Sequence, residues 1–478
     1  MNALFARIVV LVSGAAILIV ETLTTRLVAP YVGLTLESTT AVIGVALAGI
    51  AAGASLGGRW ADLFPPVRVA AGALAVGGLG VLAVRPLVRV LGPALGAGPV
   101  AAVLLVAAST LVSVTALAMV TPAVTRAQLR GVDGSGAVIG QLSAAGTVGS
   151  LAGTFLTGFV LVALLPVAAI LLVTAGACLL LALLTAGSRA HAARIGTAAA
   201  LLAVALVAVP GRCDEDTVYH CAQVQVEGPT ARVLVLDDLR HSAVDLADPR
   251  YLQFAYTKRF ADAIDTAFPA GRPVDAVHVG GGGFTMPRWL AATRPGSSST
   301  VLELDRGVVE LGRRELGVDA IPGLDVRVGD ARTELGRLST ASADLVVGDA
   351  FGARSVPWHL TTVEFADQVQ RVLRPDGVYV LNIIDSAPLD LVAAEVATLG
   401  TRFPHVALLA RPDQLAPGGG GNSVLVASNR PLDLAALAAR AAAHGEAGSV
   451  VDDADVRALA AGATVLTDDF APVDQLQG

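Results

Sequence analysis

Charged residues are sparse between Ala6 and Pro210, and this feature constrains the fold of the chain more than any other. The apolar runs in this region reach the ~20 residues that a helix needs to cross the hydrocarbon core of a bilayer. The pattern predicts an all-α, multi-pass bundle of about seven helices in the cell membrane, with the lipid bilayer as its partner. The expected helices span residues 6–28, 39–58, 67–84, 99–121, 137–161, 167–187 and 195–210.

Small residues recur within these spans, as in GVALAGIAAGASLGG from Gly44 and GTVGSLAGTFLTG from Gly146. In lipid, faces made of small residues allow helix backbones to approach closely. We therefore expect these glycines to serve helix packing rather than a transport path. Glu21 and Arg26 stand out in the first span because ionisable groups are costly at membrane depth. Arg26 is expected either at the membrane interface or in a functional role.

The arginine distribution predicts the orientation of the bundle. Arginines are more frequent at the N-terminus and in the even-numbered loops, which puts the N-terminus in the cytoplasm. After seven spans the C-terminal half would then lie outside the cell, and one miscounted span would reverse this. Cys213 and Cys221 form either a disulfide in an oxidising compartment or two free thiols.

From Asp214 onward, acids and arginines reach the density of an ordinary globular domain. The net charge of the chain is -7 and no basic block occurs, which argues against nucleic acid as a partner. Composition therefore predicts a membrane region at 1–210, a linker with a small β-rich region at 211–272, and a further domain at 273–478.

Short β-rich runs alternate with helical runs in this second half. We predict strands at 274–280, 300–304, 325–328, 344–348, 377–383, 405–410 and 423–427, and helices at 285–293, 306–316, 361–373, 386–400 and 432–443. This alternation is typical of an α/β, Rossmann-like, mostly parallel and doubly wound sheet, here preceded by a β hairpin. Ligands of such sheets bind at the carboxyl ends of the strands.

A run of four glycines, Gly280 to Gly283, follows the first of these strands and precedes a helix. Glycine is needed there when the backbone must approach a ligand closely. Acids follow the next three strands: Glu303, which can accept both hydroxyls of a ribose, Asp330, which can accept from an adenine amino group, and Asp349. Each acid has the alternative role of a helix N-cap. A glycine loop or an acid at each of four strand ends favours a bound adenosine. A dinucleotide fits less well, because no GxGxxG pattern is complete.

The order of these motifs resembles the spermidine synthase family, the aminopropyltransferases built on a methyltransferase-like Rossmann sheet. The similar stretches are LVLDDLRHS, VGGGGFTMPRWL, VLELD, VGDA, DLVVGDAF and LTDDFAPVDQL, within residues 217–474. The whole chain resembles bacterial proteins in which a major-facilitator-like membrane half is fused to a spermidine synthase.

The resemblance implies roles for individual residues. Gly280, Gly281 and Gly282 would face the methionine part of an S-adenosylmethionine-type co-substrate, Glu303 its ribose and Asp330 its adenine. Asp349 would accept a proton from the attacking amine. The implied partner is a small-molecule amine or polyamine, and Tyr256, His241 and Trp358 are candidates for contacting it. No metal is expected.

The chain also departs from the family pattern at the amine end. Gly283 stands where the family has an acid that binds the free amine of decarboxylated S-adenosylmethionine, and Lys258 stands where a carboxylate is expected. His241 replaces a glutamine. The second acid expected after Asp349 is missing, with Gly352 and Arg354 nearby.

Three functions therefore stay open. The first is aminopropyl transfer from decarboxylated S-adenosylmethionine to an amine by a membrane-anchored enzyme of polyamine biosynthesis. The second is ligand sensing without turnover, coupled to transport by the membrane half. The third is methyl transfer from intact S-adenosylmethionine, whose carboxylate an acid at position 283 would have repelled. The supply of such a co-substrate favours a C-terminal domain in the cytoplasm. The arginine distribution, in contrast, places that domain outside the cell. The sequence does not define the oligomeric state.

Overall fold

The computed structural model describes residues 1–32, 36–95, 98–129, 131–132, 134–186, 200–204, 213–237, 239–352 and 356–477. The chain divides into two compact units, Met1–Cys221 and Ala222–Gly478.

The first unit is built from long apolar helices. Six helices among the described residues have the length and composition needed to cross a membrane, and they stand where the first six predicted spans stand. The predicted span at 195–210 falls mostly outside the described residues, of which 200–204 are helical. The helices of this unit are Ala3–Val32, Leu36–Leu63, Pro66–Leu95, Pro99–Ala118, Val120–Gln128, Ser135–Leu156, a π-helical turn Thr157–Leu161, Val162–Leu164 and Val167–Ala186.

Glycines lie where these helices come closest together. A Cβ atom on Gly149 would lie 2.0 Å from the carbonyl oxygen of Leu11, and one on Gly53 would lie 2.2 Å from that of Thr115. Contacts of this length leave no room for any side chain. The predicted packing role is therefore confirmed for Gly53 and Gly149, where the helix backbones meet, whereas a Cβ on Gly44, Gly58 or Gly158 of the same stretches would have no neighbour within 4 Å.

Polar groups of the first unit meet near the end of the first helix. Arg26 forms an ion pair with Asp216 at 3.3 Å, and Asp216 ends the short strand β1, Glu215–Asp216. Cys213 and Cys221 are joined by a disulfide, whereas Cys178 is free and buried. Of the two alternatives for the cysteine pair, the structure contains the disulfide.

The second unit begins with three antiparallel strands. They are β2, Cys221–Glu227; β3, Ala231–Leu236; and β4, Leu239–Asp245. The helix Ala255–Ala267 follows them.

A seven-stranded sheet forms the centre of this unit. Its strands are β5, Asp275–Val279; β6, Ser298–Glu303; β7, Leu324–Val328; β8, Ala343–Gly348; β9, Leu373–Ser386; β10, His405–Leu409; and β11, Gly420–Ser428. The strand order is β10-β11-β9-β8-β5-β6-β7, and β5 to β9 are parallel whereas β11 runs antiparallel to β9 and β10. The predicted mostly parallel, doubly wound sheet is confirmed.

Helices cover the sheet. They are Thr285–Thr293, Arg306–Glu315, Ala331–Gly336, Val363–Val372, Asp390–Gly400, Pro412–Leu415, Leu434–Ala443, Asp453–Ala460 and Val473–Leu476, with 3-10 turns at Val318–Ala320 and Trp358–Leu360. Side chains such as Asp305 and Thr362 accept backbone N–H groups and fix where two of these helices begin. The central strand β8 is buried along its whole length, which explains why it reads as a continuous apolar run.

The strand order creates a switch point between β5 and β8. From β5 the chain moves outward to β6 and β7, and it then returns to the other side of β5 as β8. The connections that leave β5 and β8 therefore diverge and open a crevice at the carboxyl ends of these strands.

We expect Gly149→Ala to destabilise the first unit by ~1–3 kcal/mol, because the added methyl group forces the helix Ser135–Leu156 away from the first helix. Thermal unfolding of the detergent-purified chain measures this. Gly140→Ala in the same helix is the matched control, since a Cβ there has nothing within 4 Å. Equal melting temperatures for the two variants would contradict the packing role.

Candidate active site

The glycine loop begins with a residue that no other amino acid can replace without movement of the backbone. Gly280 has φ of +93°, and a Cβ on it would lie 2.5 Å from the carbonyl oxygen of Asp349. The loops that leave β5 and β8 therefore touch at this point. Phe284, which precedes the helix Thr285–Thr293, also has a positive φ of +58°, and its side chain is fully buried.

The amides of the glycine loop bind groups of the protein itself. Gly281 and Gly282 donate to Oε2 of Glu303 at 2.8 and 3.2 Å, and Gly283 donates to Oγ of Ser242 at 2.8 Å. These N–H groups are therefore not offered to a phosphate. This agrees with the preference for an adenosine over a dinucleotide.

Glu303 is held on both of its oxygens. Its Oε1 accepts from the N–H of Asp305 at 2.9 Å, while Oε2 receives the two glycine amides. Burial raises the pKa of Glu303, and these three backbone hydrogen bonds oppose the shift. A carboxylate has about four acceptor sites, so one site on Oε1 remains to accept a ribose hydroxyl.

Asp330 lies next to Glu303 at the adjacent strand end, since the N–H of Gly329 donates to the carbonyl oxygen of Glu303 at 2.9 Å. Its Oδ1 accepts from the N–H of Thr333 at 3.0 Å, so it is an N-cap, and Nε2 of His359 lies 2.9 Å from Oδ2. Burial acts to raise the pKa of Asp330, but the hydrogen bonds from Thr333 and His359 outweigh it and lower the pKa. The contact with adenine stays a prediction.

The end of the chain folds back beside Asp330. Arg332 donates to Oδ1 of Asp468 at 2.6 Å and to the carbonyl oxygen of His359 at 3.0 Å. Thr362 also donates to Asp468, at 2.8 Å. The closing LTDDFAP stretch thus braces the turn that carries His359.

Asp349 is the acid at the switch point. Asn382 donates through Nδ2 to its Oδ1 at 2.9 Å, and the hydroxyl of Tyr256 donates to its Oδ2 at 3.1 Å. Burial raises the pKa of Asp349 to about 6, against the effect of these two hydrogen bonds. Burial, followed by the charge of Asp349, also raises the pKa of Tyr256 well above its usual range, so the phenol stays a donor. Asp349 can therefore accept a proton near neutral pH.

Sequence reasoning missed the groups behind Asp349. Nδ2 of Asn422 donates to Oδ1 of Asn382 at 3.1 Å, and the main-chain carbonyl oxygen of Asn422 accepts from Nη1 of Arg259 at 2.7 Å. Arg259 is 1% exposed and pairs with Glu446 at 2.7 Å. The available signal was Asn382 inside the apolar run VYVLNII, because a polar side chain buried in a strand needs partners.

Gly283 has a steric reason to lack a side chain. A Cβ on it would lie 2.7 Å from Cβ of Ser242, on β4. The acid that the family resemblance leads one to expect at this position therefore does not fit while Ser242 is present.

The three candidates for contact with the amine differ in position. Tyr256 touches Asp349, as described. His241 lies beside Tyr256 through its carbonyl oxygen, which is 3.5 Å from the phenol oxygen. Trp358 is 50% exposed and packs edge-on against His359 at 5.7 Å, and thus stands nearer to Asp330.

One further departure from the family pattern can be placed, and another cannot. Lys258 follows Tyr256 by two residues on one helix, which turns it by about 200° and away from the face of Tyr256. Arg354 lies outside the described residues. Among the described residues there is no group of three or more His, Cys, Asp or Glu side chains placed to hold a metal ion.

Comparison with known proteins gives two informative likenesses, while no protein-family model matches the chain. A polyamine aminopropyltransferase of Vibrio vulnificus (strain CMCP6) is 30% identical over 120 residues, which are 25% of this chain and 40% of that protein. The chain thus matches less than half of the length of this relative. The crystal structure of a probable spermidine synthase from Corynebacterium glutamicum ATCC 13032 is 28% identical with a TM-score of 0.51, and the match covers 55% of this chain and 99% of the other.

The likeness in sequence and the likeness in fold agree with each other and with the motifs at the strand ends. Together they support the spermidine synthase family as the group of proteins that the second unit resembles in sequence and fold.

Proposed function

We propose that this protein is a membrane-anchored aminopropyltransferase that moves an aminopropyl group from decarboxylated S-adenosylmethionine to an amine. The helices of the first unit would anchor it in the bilayer. The proposal is supported by the family of the second unit, and its chemical basis is the carboxylate of Asp349 at the switch point of the sheet.

The adenosyl part of the donor would bind along the strand ends from β5 to β7. Gly280, Gly281 and Gly282 would border the methionine part of the donor, Glu303 would accept a ribose hydroxyl and Asp330 the adenine amino group. In this arrangement Glu303 is preorganised, because the glycine amides and Asp305 already fix its two oxygens.

The reaction is a nucleophilic displacement at the carbon beside the sulfonium. The amine nitrogen forms a bond to this carbon, the carbon–sulfur bond breaks, and its electron pair stays on sulfur, which leaves as the neutral thioether methylthioadenosine. The proton lost by the amine passes to Asp349. Tyr256 and Asn382 would hold the accepting carboxylate in place during this transfer.

The observation that carries the proposal is that the described side chains bonded to Asp349 are both neutral. Among the groups that the structure describes around Asp349, the ones that oppose its pKa shift are a neutral amide and a neutral phenol. A carboxylate balanced only by dipoles attracts a cationic ligand, and an alkylamine is cationic near neutral pH. The orientation of Lys258 away from the face of Tyr256 agrees with this.

A second candidate function is methyl transfer from intact S-adenosylmethionine. The observation that favours it is the contact between Gly283 and Ser242, which removes the acid that would repel the carboxylate of the intact donor. The preferred donor separates the two functions.

We expect Asp349→Asn to reduce kcat at least ~100-fold, because the amide keeps the shape of the carboxylate but cannot accept the proton. The assay follows methylthioadenosine and the aminopropylated product with putrescine and a panel of other amines. Asp325→Asn, an exposed change at the opposite end of the sheet, should leave the rate unchanged. If the unmodified protein forms no product with any amine, the proposed activity is wrong.

The pH profile of kcat/KM should show an acidic limb near pH 6. The pKa of Asp349 is raised to about 6, so the carboxyl takes up its proton at a higher pH than an ordinary aspartic acid, whose pKa is about 3.9. The rate should therefore fall about tenfold per pH unit below 6 and stay constant up to neutral pH. A profile that stays flat down to pH 5 would exclude Asp349 as the base.

The donor preference should change when position 283 carries an acid and has room for its side chain. Gly283→Asp alone should weaken binding of both donors, because its Cβ meets Ser242 at 2.7 Å. Combined with Ser242→Gly, the new carboxylate should favour decarboxylated over intact S-adenosylmethionine by at least ~10-fold relative to Ser242→Gly alone. Calorimetric titration with both donors measures this. An unchanged ratio would show that position 283 does not face the part of the donor that bears the carboxylate.

A further inference from the structure

Asp349 is a partly buried acid whose described hydrogen-bond donors are dipoles rather than cations. Asn382 and Tyr256 each donate one hydrogen bond to it, and no ion pair to Asp349 occurs among the described residues, which do not include Arg354. Enclosure of a carboxylate favours its neutral form unless donors point at it. The orientation of these two donors therefore decides whether Asp349 is a base.

The orientation of Asn382 is set by its neighbour. A side-chain amide can present either its NH₂ group or its oxygen, and the hydrogen-bond network selects between the two. Asn422 donates to the oxygen of Asn382 at 3.1 Å, which leaves the NH₂ group of Asn382 to face Asp349 at 2.9 Å. The reversed amide would place its oxygen against the carboxylate and repel it.

The main chain at Asn422 is held by a buried arginine. The main-chain carbonyl oxygen of Asn422 accepts from Nη1 of Arg259 at 2.7 Å and from Nε2 of Gln414 at 3.2 Å. Arg259 is 1% exposed and bonds to Glu446 through Nε at 2.7 Å and Nη2 at 3.3 Å. The bidentate geometry holds the guanidinium in one place.

The network closes on a single helix. Arg259 follows Tyr256 by three residues on the helix Ala255–Ala267, so the two side chains lie on one face. Tyr256 reaches Oδ2 of Asp349 directly. Arg259 holds the main chain at Asn422, and the side chain of Asn422 continues through Asn382 to Oδ1 of Asp349. Both oxygens of the acid are thus positioned relative to the same helix.

We propose that Asn422 and Asn382 form a directed amide relay, in which Asn422 is a positioning residue that keeps Asp349 ionised and oriented, leaving its charge for the ammonium group of the substrate. The relay deepens the proposed function and rests on it for the identity of that ammonium group.

The test replaces the remote member of the relay, which does not touch Asp349. Asn422→Leu removes the donor without adding charge, and Asn422→Asp replaces it with an acceptor of the same shape. Both changes let the amide of Asn382 turn, so the midpoint of Asp349 protonation should rise by about one pH unit or more. Infrared pH titration of the full-length chain in detergent, with Asp349→Asn to assign the carboxyl band, reads this midpoint without any turnover.

A matched control lies just beyond the other end of the same strand. Asn429 accepts from Gln370 at 3.2 Å, outside the relay. Asn429→Leu and Asn429→Asp should leave the midpoint of Asp349 unchanged. A shift in Asn422→Asp alone would assign the effect to its added charge and overturn the relay.

Kinetics separate positioning from folding. We expect the Asn422 variants to lower kcat and move the acidic limb upward, with the affinity for the donor unchanged. If the Asn422 variants melt at a lower temperature while the midpoint of Asp349 protonation does not change, Asn422 has a structural role only and the inference is wrong. A moved midpoint in a protein that turns over no amine would support the relay and refute the proposed activity.

Discussion

The contact between Gly280 and the carbonyl group of Asp349 is the constraint on which the rest of the site depends. The chain leaves neighbouring parallel strands there and turns in opposite directions, and the two connections touch with no side chain between them. A glycine with positive φ is the residue that permits this approach without strain. The base and the loop that would border the donor are therefore positioned by the same contact.

The site consists of two ends with different chemistry. At one end, Glu303 is fixed by backbone amides and Asp330 by a helix cap and His359, so both acids are held by the backbone or by their neighbours. At the other end, Asp349 is held by side chains from different elements. The first end is therefore preorganised by local structure, whereas the second depends on how the helix Ala255–Ala267 and the strands β9 and β11 pack.

The steric contact between Ser242 and Gly283 connects the small antiparallel sheet with the glycine loop. Ser242 accepts from the N–H of Gly283 and fills the space where a side chain at that position would begin. The lack of an acid at position 283 therefore goes together with the presence of Ser242, because the two side chains would occupy the same space. Under the proposed function, this arrangement would alter the end of the site that distinguishes one form of the donor from another and leave the acids proposed to bind the adenosyl part unchanged.

The sequence by itself determined the apolar helices, the close packing at glycines such as Gly149 and the alternation that builds the sheet, because these depend on local periodicity and residue size. It also placed Gly280, Glu303, Asp330 and Asp349 at one edge, since parallel strands share their carboxyl ends. Only the tertiary structure decided that Asn382, Asn422 and Arg259 stand behind Asp349. Those contacts join residues far apart in the chain, and hydrogen bonds between them depend on register and packing that no local pattern encodes.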